Sequence, residues 1–398
     1  MSTSSFADLG VSAPVAAALA GRGIASPFPI QTLVVPDAIA GNDVLARSQT
    51  GTGKTLAFGL PIVERTSPGD PTPCVLVLAP TRELARQVAE EIFVPARARG
   101  LRVGVVHGGV VVREQTRSIR GAQILVATPG RLEDLAERRR VRLDGVRILV
   151  LDEADRMLDM GFQPQVDRLV RRLPAERQTM LFSATLDGGV ARLAASYTRS
   201  PRRHEVESDS RTVAEVEHRF VPVPSGDKVD ALVEILGAQR ALTLVFVRTK
   251  RGADRLVRKL GARGVRAEVL HGDMTQPART RALAHFGSGR VDVLVATDVA
   301  ARGLDLDGIS HVVNFDPPED DKGYLHRVGR TGRAGRGGTG VTLVTSEQER
   351  DVSRLAARLD LEDEFRREGM AIAAPRVVFS GSVGGRRSSL RRRPRRAL

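Results

Sequence analysis

Short runs of apolar, mostly β-branched residues alternate along the chain with longer stretches whose apolar positions recur every three or four residues. The first series of runs is Val44–Ala46, Cys74–Ala79, Val103–Val106, Ile124–Ala127, Ile148–Asp152 and Thr179–Ser183. The second is Arg219–Val223, Leu242–Val247, Arg266–Leu270, Val291–Ala296, His311–Phe315 and Val341–Val344. These runs are continuous rather than alternating, which predicts strands covered on both faces, as in a parallel sheet wrapped by helices. Segments such as Arg82–Arg97 and Gly252–Leu260 have helical spacing and supply the crossovers.

The two series read as copies of one plan. Val106-His107-Gly108-Gly109 precedes Ile124–Thr128 in the first, and Leu270-His271-Gly272-Asp273 precedes Val293–Thr297 in the second. The separations, 164 residues from His107 to His271 and 169 from Thr128 to Thr297, nearly agree. Two equivalent α/β domains are therefore expected, at residues 1–204 and 218–365, joined by the polar stretch 205–217. A basic Arg/Gly/Ser-rich tail, residues 366–398, is expected to be disordered.

Charge sharpens this picture. The net charge is +14, and eight of the arginines fall between Ala371 and Leu398, a segment with no acidic residue. Two readings stand: a polyanionic partner bound through salt-sensitive phosphate contacts, or a general preference of this chain for arginine. The preference is real, because lysine occurs only at positions 54, 228, 250, 259 and 322. Where arginine is the usual cation, a lysine marks a place that needs a compact ammonium rather than a wide fork. Cys74 is the only cysteine, which excludes disulfide and cysteine-rich zinc schemes and fits a reducing cytoplasm. No apolar run approaches the roughly 18 residues of a membrane span, and the first ten residues lack a secretory signal pattern.

Thr50-Gly51-Thr52-Gly53-Lys54-Thr55 lies between a strand and an apolar helix. That placement suits a phosphate loop: backbone N–H groups at a helix N-terminus cradle phosphates, Lys54 reaches the β- and γ-phosphates, and Thr55 ligates Mg²⁺. Ser48 stands where the pattern expects its first glycine. Asp152-Glu153 follows the run Ile148–Leu151, at the carboxyl edge where α/β sheets bind ligands. Asp152 would hold Mg²⁺, and Glu153 would orient and deprotonate the attacking water.

The second copy has no Gly-Lys-Thr loop; around Leu242–Arg251 it reads Leu-Val-Phe-Val-Arg-Thr-Lys-Arg, so one nucleotide site is expected. It offers instead His326-Arg327-Val328-Gly329-Arg330-Thr331-Gly332-Arg333. This is either a basic loop or, if the domains close, a pair of arginine fingers in Arg330 and Arg333.

Together these residues resemble the DEAD-box RNA helicase family over roughly residues 6 to 350. The name motif is Asp152-Glu153-Ala154-Asp155. It stands in order with Phe6, Gly23–Gln31, the phosphate loop, Pro80–Ala85, Gly108-Gly109, Thr128–Arg131 and Ser183-Ala184-Thr185. Val245–Thr249, Gln276–Arg279, Ala296–Asp305 and the arginine motif follow. The resemblance implies two tandem RecA-like domains and an RNA-dependent ATPase with ATP and Mg²⁺. It implies that Gln31 reads the adenine edge, Phe6 stacks on its face and Asp305 contacts ribose; Phe28 stands where the motif often has Thr. Ser183, Ala184, Thr185 and His326 would couple the site to closure. Pro80, Thr81, Arg82, Gly109, Thr128, Pro129, Gly130 and Arg131 would hold the RNA backbone from one side. Arg248, Gly272, Arg279 and Thr297 would hold it from the other.

With two tyrosines and no tryptophan, the grip on RNA is expected to be electrostatic and indifferent to sequence. The expected mechanism is closure driven jointly by ATP and single-stranded RNA, local strand separation, and reopening on hydrolysis by a core acting as a monomer. A DNA helicase or translocase, and an ATP-gated RNA clamp without turnover, are the competing expectations.

Overall fold

The computed structural model describes residues 5–48, 52–186, 188–206, 216–238, 241–301, 308–332 and 337–373. The first lobe holds a seven-stranded sheet: β1 (Val44–Arg47), β2 (Val75–Leu78), β3 (Val103–Val106), β4 (Ile124–Ala127), β5 (Ile148–Leu151), β6 (Gln178–Ser183) and β7 (Arg202–Glu205). Its spatial order is β3-β4-β2-β5-β6-β1-β7. The second holds β8 (Val216–Pro222), β9 (Thr243–Phe246), β10 (Ala267–Leu270), β11 (Val293–Ala296), β12 (His311–Asn314) and β13 (Gly338–Val344), in the order β10-β11-β9-β12-β13-β8. Every pairing is parallel.

The continuous apolar runs are explained by burial on both faces. Val75 and Val77 of β2 enter one core while Leu76 and Leu78 enter another on the opposite side of the sheet. In the second lobe Val245 faces one core, and Leu244 and Phe246 face another. Each such side chain, almost wholly removed from water, contributes about 1.5–3 kcal/mol.

Position by position the second sheet repeats the first, with β10, β11, β9, β12, β13 and β8 standing where β3, β4, β2, β5, β6 and β1 stand. His107 and His271 follow equivalent strands, as do Thr128 and Thr297. Even the cross-strand bonds match: Thr128 N–H donates to Val106 O at 2.9 Å, and Thr297 N–H to Leu270 O at 3.2 Å. One pairing inferred from sequence is corrected by this order. Leu242–Arg251 spans β9, the counterpart of β2 and not of the phosphate-loop strand. The counterpart of β1 is β8, followed by Val223-Pro224-Ser225-Gly226-Asp227.

Two further differences appear at the boundaries. β7, Arg-Arg-His-Glu, was not foreseen because it is polar and mostly exposed, and it exists by pairing with β1 at the sheet edge. Residues 366–373, expected in the tail, pack on the second lobe: the helix Glu362–Arg367 runs past Phe365, Met370 is buried, and Ala373 N–H donates to Ser353 Oγ at 3.1 Å. The arginine-rich tail from residue 374 on, and most of the expected linker (207–215), lie outside the described residues. Among the described residues no helix is long and apolar enough to cross a membrane.

Candidate active site

In a parallel sheet the loops after the strands gather at one edge. After β1, Ser48 is buried and donates its N–H to Ser183 O of β6 at 3.0 Å, while its hydroxyl meets that of Thr52. The serine in place of glycine thus closes the loop through its side chain. Gly53 has φ +83° and opens the helix Lys54–Glu64. Lys54, 7% exposed, donates from Nζ to Ser48 O at 2.9 Å, so its ammonium is held at the end of β1. Thr55 follows on the helix, half-buried. Thr50 and Gly51 lie outside the described residues.

Gln31 is fully buried and joins this loop to the segment before it: its Nε2 donates to Gly53 O at 2.9 Å and its Oε1 accepts the Phe28 N–H at 2.9 Å. The same residue pair closes the helix Pro29–Ile39 at its N-terminus. A Cβ on Gly53 would meet Gln31 Nε2 at 2.5 Å and the Phe28 ring at 2.8 Å. Phe6, expected to stack on adenine, is 4% exposed and packs in the first lobe's core. Phe28, 51% exposed against the loop, is the aromatic the site presents. It was passed over because it departs from the motif's usual threonine.

After β5, Asp152 and Glu153 are 3% and 7% exposed, and Glu153 sits in the left-handed region with φ +50°. Burial pushes Asp152 up to about 7, with Glu153 adding to the rise and Lys54 opposing it. Glu153 goes the other way. Burial raises it, but the charges of Arg156, Lys54 and Arg330 outweigh burial and hold it below the usual carboxylate range. Arg156 Nη1 donates to Glu153 Oε2 at 2.6 Å, a pairing within Asp-Glu-Ala-Asp-Arg that the sequence reading did not include. A carboxylate held this way is ionised and a weak base, better fitted to orienting water than to removing its proton. The oxygens of Asp152 and Thr55 are those available to a hard cation.

Asp155 ties this loop to the next. Its Oδ2 accepts the Ala184 N–H at 3.2 Å, and Ser183 Oγ accepts the N–H groups of Asp155 at 3.4 Å and Thr185 at 3.3 Å. Two of these three bonds join Asp155 to Ser183 and Ala184, and the third holds Thr185 to Ser183.

The second lobe brings Arg330 to this edge. It is 7% exposed, and its charge acts on Glu153 of the first lobe. Arg330 Nε donates to the carbonyl of His326, one turn earlier, at 3.4 Å. Arg327, between them, is bound inward: Asp298 takes two of its N–H groups at 2.6 and 2.7 Å, Asp316 O a third at 2.6 Å, and the guanidinium lies over Phe246. Asp305 and Arg333 lie outside the described residues.

Apart from Arg279, the residues expected to hold RNA follow strands at this edge: Pro80, Thr81 and Arg82 after β2, Gly109 after β3, and Thr128–Arg131 after β4. Arg248, Gly272 and Thr297 follow β9, β10 and β11. Gly109, Gly130, Arg248 and Gly272 are exposed. Arg131 is half-buried and donates to Val110 O at 2.7 Å. Arg279 departs from expectation. It is 8% exposed and donates from Nε to Glu83 Oε1 across the lobes at 2.9 Å and from Nη1 to His271 O at 3.2 Å. Its guanidinium is committed to a lobe-to-lobe ion pair rather than presented to a phosphate. Beside it, Arg82 Nη1 donates to Gln276 Oε1 at 3.3 Å. Glu83 was inside a motif already singled out, but a partner 196 positions away leaves no local signal.

Comparison with known proteins agrees with this geometry. Residues 28–193 match the DEAD/DEAH box helicase family and residues 227–335 the helicase conserved C-terminal domain. The DEAD-box ATP-dependent RNA helicase CshA of Streptococcus pneumoniae serotype 4 is 44% identical over 327 residues, which are 82% of this chain and 62% of that protein. The chain thus spans less than two thirds of that relative's length. Dbp5 of S. cerevisiae bound to RNA and ADP BeF3 superposes with a TM-score of 0.82 at 32% identity, covering 90% of this chain and 94% of that one. A point variant of the same Dbp5, bound to Gle1 and IP6, gives 0.71 at 32% identity, covering 91% and 92%. With its lobes, motifs and sequence all in agreement, the chain belongs to the DEAD-box helicase family.

Proposed function

We propose that this chain is an RNA-stimulated ATPase that separates short RNA duplexes locally, in the cytoplasm, as a single chain. The observation that carries the reading is electrostatic: Arg330 of one lobe and Lys54 of the other both act on Glu153, so the two lobes share one anionic centre. ATP would lie with its phosphates on the loop Thr50–Thr55 and its base between Gln31 and Phe28. Asp305 would reach ribose, and Arg333 would join Arg330. Gln31, whose amide is bonded to Gly53 and Phe28, would read the adenine edge by exchanging one of those bonds for one to the base.

Two oxygens, from Asp152 and Thr55, fit Mg²⁺. Asp152 is a carboxylate raised by burial and short of positive charge, the condition a cation relieves. Bound there, the ion would neutralise charge on the β- and γ-phosphates. Glu153 orients a water toward the γ-phosphorus. The water oxygen–phosphorus bond forms as the bond to the β-phosphate bridging oxygen breaks, and the water's proton passes to an oxygen of the transferred phosphoryl group, releasing ADP and inorganic phosphate. Lys54 and Arg330 stabilise charge spread over the transferred group. Ser183, Ala184, Thr185 and His326 transmit closure.

A strand of RNA would lie across the exposed loops named above, which touch backbone rather than base edges, so the grip is indifferent to sequence. The CshA and Dbp5 names, one an RNA helicase and one RNA-bound, support RNA over DNA. The basic tail would add affinity without specificity.

The test is ATP turnover titrated with RNA and with DNA of equal sequence. RNA should stimulate turnover, and Arg330→Ala should lower the stimulated rate by about 10³ while ATP still binds. Turnover indifferent to RNA would remove the reading, and equal stimulation by DNA would move it to a general nucleic-acid motor.

A further inference from the structure

Lysine is rare in this chain, and Lys228 is the second one met after Lys54. The matching strand orders give the two the same address. Lys54 is the first residue of the helix that follows β1; Lys228 is the first residue of the helix Lys228–Ala238 that follows β8, the counterpart of β1. Asp152 follows β5 directly, and Asp316 lies two residues past β12, the counterpart of β5. The second lobe therefore retains a lysine and a carboxylate where the first has its phosphate-binding pair.

In the second lobe, however, the lysine is turned inward. Lys228 is 9% exposed, and its Nζ donates to Phe315 O at 2.7 Å and Gln348 Oε1 at 3.1 Å, with Asp316 Oδ1 at 3.9 Å. Gln348 Oε1 also accepts the Thr345 hydroxyl at 3.1 Å, so the ammonium draws the loops after β12 and β13 onto one point. The other oxygen of Asp316 accepts the Arg248 N–H at 2.8 Å. Arg248 follows β9, and its side chain is 58% exposed on the face assigned above to RNA. Burial lowers the Lys228 pKa and Asp316 works against that, as expected of a charge held for an internal anion.

We propose that Lys228 is a positioning residue for RNA binding: a phosphate-loop lysine turned inward, which through Asp316 fixes the backbone that aims Arg248. This rests on the reading of Arg248 as an RNA contact. A compact ammonium is required because its two acceptors converge within hydrogen-bond reach of one atom. A planar fork cannot meet both from the same stem.

Three measurements on the full chain test this. Lys228→Met should raise the RNA concentration for half-maximal ATPase stimulation by about ten-fold, the scale of a lost hydrogen bond to a charged group. The rate at saturating RNA should fall less, and Lys228→Arg should not restore the loss. In an Arg248→Ala background, Lys228→Met should add nothing. Half-saturation unchanged by Lys228→Met, or an additive effect in that background, overturns the proposal. Amide hydrogen exchange at Arg248 gives a readout independent of activity: it should rise by at least about ten-fold in Lys228→Met, and unchanged exchange also overturns the proposal. If Lys228→Met does not fold, Asp316→Ala carries the same three tests, since it leaves the bonds to Phe315 and Gln348 in place. Absence of RNA stimulation in the unmodified chain would instead sink the helicase reading, while exchange at Arg248 still decides the role of Lys228.

Discussion

Arg279 of the second lobe and Glu83 of the first meet at 2.9 Å with side chains only 9% and 14% exposed. Glu83 is raised by burial, but the charge and hydrogen bond of Arg279 more than offset this and leave its carboxyl below its ordinary value. Removing one member of a buried pair leaves the other unpaired, which costs about 3–5 kcal/mol when the site stays closed. Here the molecule has a way out, because the lobes can part and hydrate the orphan. Glu83→Gln should therefore shift the lobes toward an open arrangement, read as reduced energy transfer between dyes placed on each lobe with RNA and nucleotide bound. The unfolding temperature of either lobe should hardly move. A fall in lobe stability with closure intact would refute this.

The depressed carboxyl also sets a sign with pH. A group whose folded pKa lies below its unfolded value contributes stability above the unfolded value, near 4.5 for Glu83, and loses it as pH falls through the folded one. Asp152 runs opposite: raised from 3.8 to about 7, it makes the ligand-free fold progressively less stable as pH climbs between those values. Asp152→Asn should accordingly raise the unfolding temperature of the nucleotide-free protein at pH 8, by on the order of 1 kcal/mol or more of stability, while abolishing turnover. The gain should shrink toward pH 4. A variant less stable than the parent at pH 8 would show that the buried carboxylate is not a cost.

Phe6 and Phe28 should separate cleanly. Phe6 is a core side chain beside Leu9 and Val11, so Phe6→Ala should cost about 3–5 kcal/mol with the nucleotide dissociation constant of the surviving folded fraction little changed. Phe28 is half exposed, so Phe28→Ala should leave stability nearly unchanged and weaken ATP binding by about ten-fold, the scale of one lost stacking contact. Equilibrium binding of a fluorescent ATP analogue, with denaturant unfolding alongside, distinguishes the two.

These residues also show what the chain makes legible. The strands were readable because burial on both faces writes a continuous apolar run, and the phosphate loop because Gly53, Lys54 and Thr55 have no common alternative use at a strand–helix turn. β7 was invisible because an edge strand facing solvent needs no apolar pattern. Arg279 is illegible for a different reason: a guanidinium suits a phosphate and a carboxylate equally, and only folding brings Glu83 beside it. The internal repeat was found from two loops, but its register at β8 was missed. That strand and β1 share topology without sharing residues.

Gly53 makes the most local prediction. Its φ of +83° lies where a side chain costs about 1–2 kcal/mol, and a Cβ there would overlap Gln31 Nε2 and the Phe28 ring, at 2.5 and 2.8 Å. Gln31 is fully buried and tied to both neighbours, so it cannot swing aside without losing its bonds to Gly53 O and the Phe28 N–H. The strain must then move the loop. Gly53→Ala should weaken ATP binding by at least about ten-fold, since 1.4 kcal/mol is one decade. Gln31→Ala in the same chain opens the space, so the double variant should bind ATP no worse than Gln31→Ala alone beyond the backbone penalty. If Gly53→Ala is equally harmful with and without Gln31, the contact between the adenine-side segment and the phosphate loop is not what this glycine protects.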